Sequence, residues 1–357
     1  MKINLTAPAN PLGYGVVGMN VLKSLCEQGH EVSYFPIGSP EVEPQDAQLF
    51  QECLNRQDAF DKSAPSLRVW HQHDLAQHVG KKLHVGFPIF ELDTFTKREV
   101  HQLSSQDVIL VCSQWAKDVV DTALKDNHSG RAIHVAPLGV DRTVFYDAPS
   151  TNPATVFLNI GKWEVRKGHD ILIEAFNNAF TREDNVKLLM MNHNPFISPA
   201  DDREWKRLYK SGQMGDQVEF LNRVKSHTEV ADIIRAADCG VFPSRAEGWN
   251  LEALEMMSCG KHVIATDYSA HTEFCNEDNC HLIQVNELEE AYDGIWFKGQ
   301  GRWAKIGKDQ MEQTVEYFRF VHRQKQESGD INNTMGIETA KKFSWNNTAD
   351  SIIRSIT

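Results

Sequence analysis

Strand-like and helix-like segments alternate along this chain, stop at residues 146–153, and then start again. That pattern confines the fold to two doubly wound parallel α/β domains, because each helix must carry the chain back before the next strand can lie parallel to the last. Before the break, strands are expected at 2–5, 31–35, 67–70, 83–87 and 108–112, with helices at 13–28, 96–103 and 114–124. After it, strands are expected at 156–160, 186–191, 217–221, 239–242, 262–265 and 282–285, with helices at 169–179 and 228–236. A last helix is expected at 341–356, and residues 40–65 read as polar and irregular. The break itself, YDAPSTNP, has linker chemistry. The expected domains are therefore 1–148 and 149–338, with 339–357 as a C-terminal helix returning to the first. Ligands of doubly wound sheets bind beyond the carboxyl ends of the strands, so a cleft between the domains is the expected site.

The bulk numbers narrow the function classes. A formal charge of −12 argues against general nucleic-acid binding, which needs a basic face. The seven cysteines are scattered with no C-x-x-C, which fits buried free thiols in a reducing compartment. The first residues, MKINLTAPANPLGYG, lack the apolar stretch of a secretion signal. No run approaches the ~18 apolar residues of a membrane span. The expectation is a cytoplasmic protein without integral membrane association, in which the sequons at Asn127 and Asn346 carry no weight.

The chemistry concentrates in residues 243–266, PSRAEGWNLEALEMMSCGKHVIAT. Glu247 and Glu255 lie eight apart across a Gly-Trp-Asn turn that enters a helix. One carboxylate then sits near a strand end and the other one to two turns into the helix, where both can face a ligand. Carboxylates accept bonds from hydroxyls, and the free N–H groups of a helix start attract phosphate. The Gly248-Trp249-Asn250-Leu251 backbone is placed for that contact. A second loop, Gly161-Lys162 to Lys167-Gly168, follows a strand and sets two cations beside glycines. Gly13-Tyr14-Gly15-Val16-Val17-Gly18 spells a dinucleotide motif, but a seven-residue loop separates it from its strand. The acidic residue expected after the second strand is also absent, since Tyr34-Phe35-Pro36-Ile37 stands there. Gly13 and Gly15 are read instead as a loop where backbone approaches a phosphate or sugar.

These stations resemble, in order, the retaining glycosyltransferases of the GT-B fold, family 4. Pro137-Leu-Gly-Val-Asp141 with Phe145, Gly161-Lys162 with Lys167-Gly168-x-Asp170, Asp238, and Pro243-Ser244-x-x-Glu247-Gly248 through Glu255 carry the resemblance over roughly 135–285. It implies two Rossmann-like domains facing across a cleft. It also implies transfer of a sugar, with retention, from a nucleoside-diphosphate sugar to an acceptor hydroxyl on a sugar, glycan, lipid-linked or small molecule. Lys162 and Lys167 would hold the diphosphate, Glu255 the ribose hydroxyls, and Glu247 the sugar hydroxyls. Residues 220–224, Arg223 among them, would meet the base. His71 and His73 match a His-rich station of the family, and Glu91 is a further candidate on the acceptor side. No cofactor or metal is expected, because lysines and helix dipoles can do a cation's work at a diphosphate. The chain departs from the family pattern in two places: no histidine follows 83–87, and Asn250 stands where glycine is usual. A non-catalytic nucleotide-sugar-binding protein, or a transferase acting on a modified nucleic-acid base, remain the alternatives.

Overall fold

The computed structural model describes residues 1–125, 131–329 and 331–357; the sequon at Asn127 lies outside them. The chain divides into two compact units, Met1–Gly139 with Phe343–Thr357, and Val140–Lys342.

In the first unit a parallel sheet runs β1 (Lys2–Ala7), β2 (Glu31–Pro36), β3 (Pro65–Val69), β4 (Lys82–Phe87), β5 (Val108–Val111) and β6 (Ala132–Val135), in the spatial order β2-β1-β3-β4-β5-β6. The order reverses between β1 and β3, a switch point of the flavodoxin-like kind. The helices are α1 (Gly13–Glu27), α2 (Ala47–Asn55), α3 (Lys97–Ser104) and α4 (Gln114–Leu124). The stretch expected to be irregular, 40–65, thus contains α2. Only Phe50 and Cys53 of this nine-residue helix are buried, Leu49 and Leu54 are half-buried, and the polar residues around them make the segment read as irregular in sequence. Thr96 forms a capping box with Glu99 and starts α3, and Ser113 caps α4.

The second unit holds β7 (Thr155–Gly161), β8 (Val186–Asn192), β9 (Val218–Phe220), β10 (Cys239–Phe242), β11 (His262–Thr266) and β12 (His281–Ile283), ordered β12-β11-β10-β7-β8-β9. This is the dinucleotide-fold order, with its switch point between β7 and β10. Asn159 of β7 ties that point together. Its Nδ2 donates to Val241 O at 2.6 Å, and its Oδ1 accepts from Asn192 Nδ2 at 2.7 Å. The helices are α5 (His169–Ala179), α6 (Pro199–Lys210), α7 (His227–Ala236), α8 (Leu251–Ser258), α9 (Lys308–Ser328) and α10 (Thr334–Lys342). A hairpin, β13 (Leu288–Tyr292) and β14 (Lys298–Ala304), is added after the sheet. The core gathers Phe157, Phe176, Phe180 and Phe318, with the rings of Phe157 and Phe318 edge-on at 4.7 Å.

Two differences from expectation, the split of the tail and the position of the unit boundary, have physical reasons. The tail read as one helix is two, α10 and α11 (Trp345–Ile356), because Ser344 turns extended and caps α11 through Asn347 N. The helix α11 belongs to the first unit, where Gln28 Nε2 donates to Asn346 O at 3.1 Å and to Asp350 Oδ1 at 2.8 Å. The unit boundary falls at 139/140, ahead of the linker-like segment. Ser258 Oγ holds Phe145 O, and Lys261 Nζ holds Ala148 O at 2.7 Å, so that segment packs in the second unit. No described helix is long and apolar enough to cross a membrane.

Candidate functional site

Two loops leave the switch point of the second sheet, one after β7 and one after β10. The first turns at Gly168, which caps α5 in the left-handed region (φ 70°). A Cβ there would stand 2.0 Å from Pro243 O, so only glycine lets the two loops meet. Arg245 fastens them with a two-pronged bond to Asp170 (3.0 and 2.8 Å) and a further bond to Val165 O at 2.8 Å. Asp170 in the family-like K-G-x-D run is therefore half of an inter-loop clamp.

Glu247 sits at the centre of this pair of loops and is 4 % exposed. Its Oε1 receives Lys167 Nζ and Ser244 Oγ, each at 2.7 Å, and its Oε2 receives Arg166 Nη1 at 2.8 Å. Burial pushes the carboxyl up, but Lys167 and Arg166 overcome that and hold it well below the ordinary range. Lys167 shows the reciprocal effect: burial lowers it and Glu247 more than restores it, leaving the ammonium above its ordinary value. One of its three N–H groups is spent on Glu247. Gly161 leaves room beside it, since a Cβ there would lie 3.8 Å from Nζ. Arg166 also donates to Ala246 O at 2.7 Å and to Glu164 at 2.8 Å. The sequence reading overlooked Arg166. Its position just before Lys167 was the available signal, but that signal gives no hint that the side chain turns inward.

Glu255, in the second turn of α8, is the opposite case. It is 8 % exposed, and its carboxyl has no hydrogen-bond partner among the described residues. Burial, with a smaller push from Glu252, raises it well above the ordinary carboxyl range. Asn250 begins α8 with φ 83°, the conformation a glycine would take, and its Oδ1 accepts from Ala253 N. Its Nδ2 donates to Nε2 of buried His271, whose Nδ1 is thereby the protonated nitrogen and donates to Thr266 O at 2.9 Å. Asparagine thus makes a turn that glycine could make as well. Gly248 and Trp249 are buried in the same loop, and Leu251 opens the helix.

The remaining expected residues fall in two places. Lys162 lies at the rim of the second unit, 3.9 Å from Glu164 and with its ammonium 5.3 Å from the Phe196 ring centre, while Arg223 is exposed in the loop after β9. In the first unit, Gly13 opens α1 and Gly15 packs against Asn10, whose carbonyl a Cβ at Gly15 would meet at 2.1 Å. His71 and His73 follow β3 and stack at 5.3 Å, with the His71 ring 4.5 Å from Tyr14. The Tyr14 hydroxyl donates to Ile89 O at 2.6 Å and accepts from Ile89 N. Burial and, in smaller part, Glu91 push its phenol up. Gly15, Tyr14, His71 and His73 therefore gather at the first sheet's own switch point.

Residues 154–296 match the glycosyl transferases group 1 family. A mannosylfructose-phosphate synthase of Agrobacterium fabrum is 27% identical over 220 residues, 56% of this chain and 46% of that protein. An uncharacterised glycosyltransferase of Methanocaldococcus jannaschii is 32% identical over 165 residues, 46% of this chain and 41% of that protein. The chain thus spans under half the length of these two relatives. The Anabaena protein Alr3699/HepE, solved with UDP-glucose, superposes with a TM-score of 0.68 at 16% identity, covering 100% of this chain and 99% of that one. The unit that carries Lys167, Glu247 and Glu255 therefore belongs to the group 1 glycosyltransferases, in a chain of GT-B fold.

Proposed function

We propose that this protein transfers a sugar, with retention and without a metal ion, from a nucleoside-diphosphate sugar to an acceptor hydroxyl. The observation that carries the reading is the contrast between two carboxylates on one loop and helix. Glu247 is fully ionised and locked by two cations, whereas Glu255 is buried with nothing to bind. A buried carboxyl without a partner is costly unless a ligand completes it, and a pair of ribose hydroxyls is suited to do so. Lys167, with two N–H groups left over, and the start of α8 would take the diphosphate and the charge that grows on it as the glycosidic bond breaks. Glu247 would accept sugar hydroxyls and face the positive charge developing on the sugar ring. Neither carboxylate is left as a free nucleophile, so we favour front-face attack, with the departing phosphate receiving the acceptor proton. His71, His73 and Glu91 are proposed on the acceptor side.

The direct test is transfer and donor hydrolysis across a panel of nucleotide sugars. The Anabaena complex makes UDP-glucose the first donor to try. A protein that is stabilised by a donor yet turns none over, with or without acceptors, would be a binding protein instead. Activity is expected to persist in excess chelator. Complete loss, restored by a divalent cation, would replace the lysine-based scheme with a metal-based one.

Glu255→Gln separates binding from stability. Gln offers the ribose hydroxyls one acceptor oxygen where the carboxyl group offers two, so nucleoside-diphosphate binding should weaken about tenfold to a hundredfold. The same change should make the ligand-free protein more stable at neutral pH. Because the folded carboxyl is raised above its unfolded value, Glu255 costs stability once pH exceeds the unfolded carboxyl range near ~4.3. The advantage of Gln should therefore fade as pH drops toward that range. Calorimetric melts of both proteins between neutral and acidic pH read the effect; equal melting temperatures throughout would remove the unpartnered-carboxyl argument.

A further inference from the structure

The proposed transfer makes no use of two thiols in the first unit. Cys26, in the last turn of α1, and Cys53, in α2, place their Sγ atoms 3.7 Å apart. Cys53 is fully buried, while Cys26 is partly exposed. Arg56 Nη1 donates to Cys53 Sγ at 3.1 Å and to Val32 O at 3.1 Å. Since a guanidinium only donates, Cys53 is the acceptor there; between the two sulfurs either thiol can donate, and the S–H of Cys26 does so whenever Cys53 is ionised. The pair thus has a reachable sulfur and, behind it, a second sulfur held next to a fixed positive charge. The remaining free cysteines are all buried.

We propose that Cys26 and Cys53 form a redox modification site, in which a low-molecular-weight disulfide reacts at Cys26 and Cys53 then closes an intramolecular disulfide. The hydrogen bond to Cys53 and then burial push the Cys26 thiol up, so in the first step Cys26 passes its proton to the Cys53 thiolate 3.7 Å away as it attacks one sulfur of RS–SR. The mixed disulfide Cys26–S–S–R forms, and RS⁻ leaves and is protonated. In the second step the Cys53 thiolate attacks the Cys26 sulfur, and the second RS⁻ leaves. Two protein thiols are oxidised to one disulfide, and one RS–SR is reduced to two RSH. The sulfurs need approach by only about 1.7 Å to reach bonding distance. In the reduced pair the Cys26 thiol and then Arg56 lower Cys53 against the upward push of burial; once Cys26 is in the mixed disulfide its S–H is gone, and Arg56 at 3.1 Å remains as the positive charge that favours the Cys53 thiolate for closure.

The test uses the whole folded chain, incubated with oxidised glutathione, alkylated, digested without reduction and mapped by mass spectrometry. The expected product is one peptide pair joined through Cys26 and Cys53. Cys53→Ser should stop at a glutathione adduct on Cys26, and Cys26→Ser should leave Cys53 unmodified. Arg56→Gln should slow closure of the ring roughly threefold to tenfold, leaving the adduct visible for longer. Oxidised wild type should melt about 5–10 °C higher than reduced, and neither serine variant should shift. If a serine variant does not fold, the wild-type map and melting shift still decide the matter. A wild type that halts at the adduct, stays reduced, or cross-links only in urea would overturn the proposal.

Discussion

Lys167→Ala is expected to slow sugar transfer by about 10²–10³-fold, the effect of removing one well-placed charge from a developing anion. Single-turnover transfer with saturating donor reads it directly. The variant should fold, because Glu247 keeps Arg166 Nη1 on Oε2 and Ser244 on Oε1. Its stability loss should stay near 1–2 kcal/mol, below the ~3–5 kcal/mol of a buried charge stripped of every partner. Binding of the free nucleoside, which reports on Glu255, should barely change. A Lys167→Ala protein with the wild-type rate would take the ammonium out of the leaving-group role.

The second large effect is on stability. Lys325 of α9 meets Asp238 with both oxygens at 2.7 Å, and Asp238 Oδ2 also accepts from Val156 N at 2.7 Å. Lysine and aspartate side chains are 4% and 2% exposed. Lys325→Met would leave Asp238 buried without its cation, at a cost of about 3–5 kcal/mol, or roughly 10 °C in melting temperature. Adding Asp238→Asn should recover most of the loss, because the amide oxygen can still serve Val156 N while no charge remains. Chemical denaturation of the wild type, single variant and double variant measures this. A single-variant loss under about 1 kcal/mol would mean that water reaches the pair.

What the sequence revealed depended on whether the controlling interactions were local. α5 and β10 were legible residue for residue, because α5 has a strong apolar stripe and β10 is a short apolar run between polar turns. α9 escaped because its apolar positions, Val315, Phe318 and Val321, are sparse among charges and matter only against the core they meet. The β13–β14 hairpin escaped because its strands are polar and glycine-containing. At the site, the spacing of Glu247 and Glu255 and the glycines around Lys167 were visible as chemistry. The inward turn of Arg166, the clamp from Arg245 to Asp170 and the anchoring of Asp238 by Lys325 join residues 75 to 87 positions apart. No local pattern encodes such pairings.

The bond between Asn250 and His271 also constrains the order in which this loop can change over generations. While asparagine holds the left-handed position, its buried amide relies on the imidazole 2.8 Å away. Losing the histidine first would strand that amide inside the protein. A change of Asn250 to glycine, which takes the same φ without a side chain, would release His271 from the obligation, so one mutational route is open while the other leaves a buried amide unpaired. Two positions 21 residues apart are thus coupled in one direction: His271 is required for as long as asparagine stands at 250.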